Sequence, residues 1–158
     1  MSGTSRIAGI LQEKGIILPT PSTPTASYVP YVITGSLVFI SGQGPRHDGK
    51  LQYTGKVGKD VTLEEGQQAA RICMLNVLSH LNAACGNDLD KVKRAVRIAG
   101  LVNCASDFTQ HPQVINGASD LLLEIFGERG KHARIATGAN SLPANMSVEV
   151  EAIFEIET

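Results

Sequence analysis

The feature that most constrains the fold is an alternation near the end of the sequence, SVEVEAIFEIE at residues 147–157. Apolar residues occupy every second position, from Val148 to Ile156, and four of the five positions that follow them are glutamate. A period of two is that of a β-strand with one face packed on a core and the other face open. The chain must therefore place helices or a second sheet against the apolar face.

Four earlier segments also predict strands. YVIT and LVFISG are rich in β-branched and aromatic residues and are separated by the turn signal Gly35-Ser36. VKRAVRIAGLVNC and HARIATG have the same character, and Asp48-Gly49 marks a further turn.

Helical spacing of apolar residues predicts three helices. Ser5 would cap a short first helix that Gly15 ends. Thr62 to Glu65 (TLEE) is a capping-box signature before a long helix that Gly86 ends. Pro112 would lie in the first turn of the third helix, and Gly127 would follow its last turn.

The predicted order, after the first helix, is β-β-α-β-α-β-β. An α+β fold with two helices packed on one face of a mixed sheet accommodates this order. The other face of the sheet then needs cover, which a small barrel or a symmetric oligomer would supply.

The length of 158 residues predicts a single domain over residues 1–158, with a helix and proline-rich lead-in at 1–25 and the core at 26–158. The net charge is −1 and there is no basic run, which argues against a dedicated nucleic-acid surface. No apolar stretch is long enough to cross a membrane and no secretory signal is recognisable. We expect a soluble cytoplasmic protein.

The cysteine and histidine positions do not predict a metal site. Cys73, Cys85 and Cys104 include no C-x-x-C pair, and we expect reduced, packed thiols with no base nearby. His47, His80 and His111 share no metal-ligand spacing and are interpreted as surface or packing residues.

One charge stands out in KHARIATGANSLP, residues 131–143. Arg134 lies in a strand-like run in which Ala133, Ile135 and Ala136 are expected to be at least half-buried. A guanidinium is always charged and needs acceptors. It either pairs with a carboxylate of the chain, such as Glu149 or Glu151, or binds a carboxylate from outside.

Three motifs in order resemble the YjgF/RidA family of reactive-intermediate (imine) deaminases, also called L-PSP endoribonucleases. They are Ser41-Gly42-Gln43, the span from Arg134 to Leu142-Pro143, and VEVEA at residues 148–152. The resemblance covers about residues 26 to 157. It implies a chorismate-mutase-like α+β fold and a homotrimer with a central barrel, and three ligand clefts between subunits.

The resemblance also implies roles for individual residues. Arg134 would bind the substrate carboxylate, and Glu149 would position or activate water. The substrate-binding positions fall on Tyr28 (with Tyr31 a second register), Ser41, Gly42, Asn116 and Ala136. Ser41 and Gly42 are equally consistent with a plain β-bulge.

This chain departs from the family pattern at two positions beside the arginine. Many members have Cys where this chain has Ala136, and Pro where it has His132. Strand alternation places both on the same face as Arg134, so His132 is a candidate supporting residue. These differences and the longer loops around Arg46 and His111 indicate a divergent subgroup.

The resemblance implies a 2-iminobutanoate/2-iminopropanoate deaminase that needs no metal or organic cofactor. Arginine can hold a planar carboxylate through two parallel hydrogen bonds, and a nearby carboxylate can orient the attacking water. The alternative is a protein that binds a small carboxylate in the same cleft without turnover. An endoribonuclease is the less favoured reading, because a basic groove and a histidine pair are lacking.

Overall fold

The strands of the chain form a five-stranded mixed sheet and a small separate hairpin. The computed structural model describes residues 5–24 and 26–158. Its strands are β1 (Tyr31–Thr34), β2 (Leu37–Gln43), β3 (Arg46–His47), β4 (Lys50–Leu51), β5 (Val92–Asn103), β6 (Ala133–Ala139) and β7 (Val148–Ile156). The sheet order is β1-β2-β7-β5-β6, with β5 and β6 parallel and the other pairs antiparallel. The expected mixed sheet is confirmed, and β3 and β4 flank the predicted turn at Asp48-Gly49.

The three predicted helices are α1 (Arg6–Glu13), α2 (Leu63–Ala84) and α3 (His111–Phe126). Their capping signals act as expected. The Thr62 hydroxyl accepts from the Glu65 N–H at 3.1 Å, and the Glu65 carboxylate accepts from the Thr62 N–H at 3.0 Å. Gly127 ends α3 with a φ of 59°, a conformation that favours glycine.

Helices α2 and α3 cover one face of the sheet. The apolar positions of β7 all face these helices, and none is more than 6% exposed: Val148, Val150, Ala152, Phe154 and Ile156. The two helices approach each other closely at Gly117, where a Cβ would lie 2.0 Å from the Gln67 carbonyl oxygen. The layer predicted from the alternation is therefore formed.

The opposite face of the sheet carries exposed apolar side chains. Val32, Phe39 and Ile135 are 52%, 40% and 49% exposed. The expectation that Ala133 and Ile135 are at least half-buried is wrong for this chain, because both point away from the helices and only Ala136 is half-buried. We call this surface the open face.

Helix α1 is fixed to the rest of the fold by a carboxylate. Asp90 accepts hydrogen bonds from the backbone N–H groups of Arg6 and Ile7 at 2.9 and 2.8 Å. Residues 1–4 and Thr25 of the predicted lead-in lie outside the described residues. Among the helices that are described, none has the length and apolar character required to cross a bilayer.

Candidate ligand-binding site

Arg134 lies on the edge strand β6 and points toward α3. Its Nη1 donates to the Ser119 hydroxyl at 3.0 Å, and its Nη2 donates to the Pro112 carbonyl at 3.3 Å. The ion pairs within residues 5–24 and 26–158 involve other side chains. The alternative of a salt bridge from Arg134 to Glu149 or Glu151 is therefore not formed within the chain.

His132 supports Arg134 through Ser119. The Nδ1 atom of His132 lies 2.6 Å from the Gly130 carbonyl, which can only accept, so Nδ1 carries the proton of the neutral ring. Its Nε2 atom lies 2.9 Å from the Ser119 hydroxyl. The Ser119 hydroxyl can then donate to Nε2 while it accepts from Arg134. This chain of hydrogen bonds fixes the direction of the guanidinium.

Two further predicted residues lie near the guanidinium. Asn116 precedes Ser119 by one helical turn on α3, and Ala136 follows Arg134 on the same face of β6. Both are half-buried. We call Asn116, Ser119, His132, Arg134 and Ala136 the arginine edge.

Three of the other predicted residues, Tyr28, Gly42 and Glu149, line a cavity of about 550 Å³. We call it the glutamate cavity, and its lining includes Tyr28, Arg46, Asn76, His80, Gly42 and Glu149. Tyr28 lines it and Tyr31 does not, which favours the first of the two tyrosine registers. Arg46, Asn76 and His80 were not predicted to belong to the site.

The Glu149 carboxyl lies half-buried beside Gly42. Burial, and next the charge of Glu151, raise its pKa above the usual value. A Cβ on Gly42 would lie 2.5 Å from the Glu149 Oε1 atom, so glycine is what leaves room for this carboxyl. The protonated form is therefore favoured more than in an exposed glutamate, which suits a group that exchanges protons with a bound ligand.

Ser41 and Gly42 belong to an irregular part of β2. The pairing of β2 with β7 shifts register between Ile40 and Gln43, as a bulge does. The Ser41 hydroxyl donates to the Val29 carbonyl at 2.7 Å and so holds the segment that precedes β1. Gly42 lines the glutamate cavity. Ser41 does not line it, and its hydroxyl instead stabilises the bulge through the hydrogen bond to Val29.

The two groups of residues do not meet within one chain. Strand β5 lies between β6 and β7, so Arg134 and Glu149 are on strands about 10 Å apart. Val148 and Val150 are buried against the helices, so the Glu149 side chain leaves the sheet on the opposite side, whereas Arg134 points toward α3. A ligand that touches both residues requires a second copy of the chain or a large movement.

The fold and these side chains define a small α+β protein with candidate ligand groups at two separate places on a mixed sheet. The chain belongs to the YjgF/chorismate-mutase-like family. The family model described as "YjgF/chorismate_mutase-like, putative endoribonuclease" matches residues 8–156.

Relatives resemble the chain over nearly its whole length. Protein TCP17 of Trypanosoma cruzi is 46% identical over 154 residues, which are 97% of this chain and 96% of that protein. The crystal structure of Atu1372 from Agrobacterium tumefaciens, a protein "with unknown function", is 44% identical with a TM-score of 0.90, covering 96% of this chain and 92% of that one. That of a "putative endoribonuclease" from Shewanella oneidensis is 39% identical with a TM-score of 0.91, covering 95% and 99%.

Proposed function

We propose that the chain is a 2-imino acid deaminase of the 2-iminobutanoate/2-iminopropanoate type, which acts in a cleft between subunits. The arginine edge of one subunit and the glutamate cavity of another would form each cleft. The observation that carries the proposal is the guanidinium of Arg134, which is held by neutral acceptors only among residues 5–24 and 26–158. Its charge is oriented and not neutralised, so a ligand carboxylate can bind it.

The proposed reaction is the hydrolysis of a C=N bond. With its carboxylate on Arg134, the substrate holds its imine carbon in a fixed place. Water oriented by Glu149 adds to that carbon, and the nitrogen takes up protons. The C–N bond then breaks, which releases ammonia and leaves a 2-keto acid. Positioning and proton transfer supply this chemistry without a cofactor.

The open face supports the proposed homotrimer. Val32, Phe39 and Ile135 would be covered if the sheets of three subunits formed a central barrel, as the resemblance implies. The same assembly would bring a second chain to the edges of the sheet. Arg134 of one subunit could then lie near Glu149 of another, although the two residues are apart within one chain.

Ala136 favours a second candidate function, binding without turnover. This chain lacks the thiol that many family members have at that position. The cleft would then hold a small carboxylate as a sensor or scavenger. Endoribonuclease activity, the name attached to the family model, has less support, because a net charge of −1 without a basic run offers few phosphate contacts.

The testing experiment measures ammonia and keto-acid release from 2-iminobutanoate generated in situ by a threonine dehydratase. We expect the wild-type protein to accelerate release and Arg134→Ala to abolish the acceleration while the oligomer persists. Arg46→Ala tests the other arginine, in the glutamate cavity. Arg94→Ala, an exposed residue of β5, is the matched control.

Each outcome decides between the candidates. Full activity in Arg134→Ala overturns the proposed anchor, and loss in Arg46→Ala alone transfers that role to Arg46. Carboxylate binding to the wild type without any ammonia release favours the binding protein. RNA cleavage that requires Arg134 would favour the endoribonuclease.

A further inference from the structure

A second cavity lies where the parallel strands β5 and β6 end. Its volume is about 560 Å³, and we call it the thiol cavity. Its lining combines two lysines, a cysteine and a histidine with a glycine of β6: Lys56, Lys59, Cys104, His111 and Gly138. None of the described residues that line it is acidic. Its lining shares no residue with the arginine edge or with the glutamate cavity.

Cys104 and His111 form a thiol–imidazole pair in this cavity. The Cys104 Sγ atom lies 3.4 Å from His111 Nε2, and the Phe108 ring packs edge-on against the imidazole with ring centres 5.3 Å apart. A Cβ on Gly138 would lie 2.8 Å from Nε2 and 3.1 Å from Sγ, so glycine makes room for the pair. The expectation that no cysteine has a base nearby is wrong for Cys104.

The lysine side chains that line the thiol cavity are positively charged. The Lys56 ammonium donates to the Asn103 side chain at 3.0 Å and to the Asn140 carbonyl, which hold it at the cavity wall. Lys59 supplies a second ammonium. Helix α3 begins at His111, and its N-cap Gln110 makes no side-chain capping hydrogen bond, so the positive end of the helix dipole also faces this region.

The thiol is protonated at rest and has a base within reach. Burial raises the Cys104 pKa above its usual value, although the charge of Lys56 acts in the opposite direction. A thiol in this state becomes a nucleophile when an adjacent imidazole takes its proton during attack. Cys104 is partly exposed, whereas Cys73 and Cys85 are buried. Cys104 is therefore the thiol that a ligand can reach.

We propose that the thiol cavity is a second ligand site for small anions, carboxylates or phosphates, that carry an electrophilic carbon, and that Cys104 captures them covalently with His111 as its base. With an aldehyde, the Cys104 sulfur bonds to the carbonyl carbon and the C=O π pair moves to oxygen. His111 takes the thiol proton and returns it to that oxygen. The product is a hemithioacetal, and no oxidant or other reactant is consumed.

Two alkylating probes that differ in charge test the site. Iodoacetate carries a carboxylate and iodoacetamide is neutral. With either, an S–C bond forms, iodide leaves with the C–I pair and His111 takes the proton. We expect mass spectrometry to map alkylation to Cys104. We also expect the iodoacetate-to-iodoacetamide rate ratio to exceed that of a small free thiol by roughly tenfold, through concentration of the anion near the lysines.

Variants separate the charges from the base. Lys59→Gln and Lys56→Met should lower the iodoacetate rate selectively, and Lys50→Gln, an exposed lysine outside the cavity, should change neither rate. His111→Gln should lower both rates by roughly tenfold or more. Circular dichroism checks that each variant is folded.

Protection experiments distinguish the two anion sources. If acetate slows the alkylation of Cys104 by iodoacetate, the site binds carboxylates. If inorganic phosphate slows it, the site binds phosphates. The proposal is overturned if the rate ratio equals that of the free thiol, if Cys73 or Cys85 reacts as fast as Cys104, if His111→Gln reacts at the wild-type rate, or if neither anion protects.

Discussion

Ser119 accepts a hydrogen bond from the guanidinium of Arg134 at 3.0 Å, and its hydroxyl is buried between α3 and β6. Because His132 Nε2 lies on the other side of that hydroxyl, Ser119 is the link between an imidazole and a charged group. Buried contacts of the fold thus position Arg134, the side chain that would hold the substrate carboxylate.

Removal of this link should weaken carboxylate binding. In Ser119→Ala, Arg134 loses an acceptor for a charge-assisted hydrogen bond, a contribution of about 1.5 kcal/mol. We expect roughly a tenfold rise in the KM for the imine or in the Kd for a carboxylate ligand, with a smaller change in kcat. Titration calorimetry and steady-state kinetics measure the two. Ser141→Ala, an exposed serine that lines neither cavity, is the control, and unchanged affinity in Ser119→Ala would refute the positioning role.

The Glu149 carboxyl should make stability depend on pH. Because burial and Glu151 raise its folded pKa above the usual 4.5, the folded state binds the proton more tightly than the unfolded state does. Its stabilising contribution is full below the unfolded pKa and is lost as pH rises through the folded pKa. Glu149→Gln should therefore have a higher Tm than wild type at pH 7, and the gain should disappear near pH 4.

Thermal denaturation between pH 4 and pH 8 measures this difference. Glu157→Gln removes an exposed glutamate directly after the end of β7 and should give no such trend. A constant gain for Glu149→Gln at every pH would contradict the assigned cause. The same variant should lose deaminase activity, so stability and activity should move in opposite directions.

A methyl group at Gly42 should displace the Glu149 carboxyl. The added Cβ would lie 2.5 Å from Oε1, and the glutamate can move because the contact is at the end of its side chain. We expect Gly42→Ala to remain folded and to lose at least about tenfold in kcat, since a displaced proton-transfer group costs catalysis. Kinetics and circular dichroism test this together. Gly9→Ala, where a Cβ would meet nothing within 4 Å, should keep wild-type kcat.

A charge on the open face should disrupt the proposed trimer. Phe39 is 40% exposed in the single chain and would be covered in the assembly, where a carboxylate could not be solvated. We expect Phe39→Glu to sediment as a smaller species and to lose activity. Ile17→Glu, at an apolar position that is 87% exposed and outside the sheet, should leave the assembly intact. If the wild-type protein sediments as a monomer, the proposed cleft between subunits is contradicted.

Local patterns in the sequence predicted the elements well, for a physical reason. Alternation in β7, the Thr62 to Glu65 capping box and the stop at Gly127 each depend on neighbours within a few residues. Ala133 and Ile135 were misjudged because small and apolar residues occupy both faces of β6, so composition does not tell which face is covered.

The site was less accessible to sequence reasoning. Tyr28, Gly42 and Glu149 line one cavity, but their distance from Arg134 depends on strand order, which no local pattern encodes. The sequence does not predict the pair of Cys104 and His111, because the two residues are seven positions apart across an irregular loop. Ser119 carried no signal beyond its place one turn after Asn116.

The central position of β7 determines when the sheet can form during synthesis. β7 emerges from the ribosome after β1 to β6, yet it pairs with both β2 and β5. Before β7 is available, no strand joins the β1–β2 hairpin to the β5–β6 pair. Pairing of Ile40 with Ala152 also closes a very long loop. The nascent chain must therefore keep two incomplete pieces of sheet from aggregating until β7 joins them.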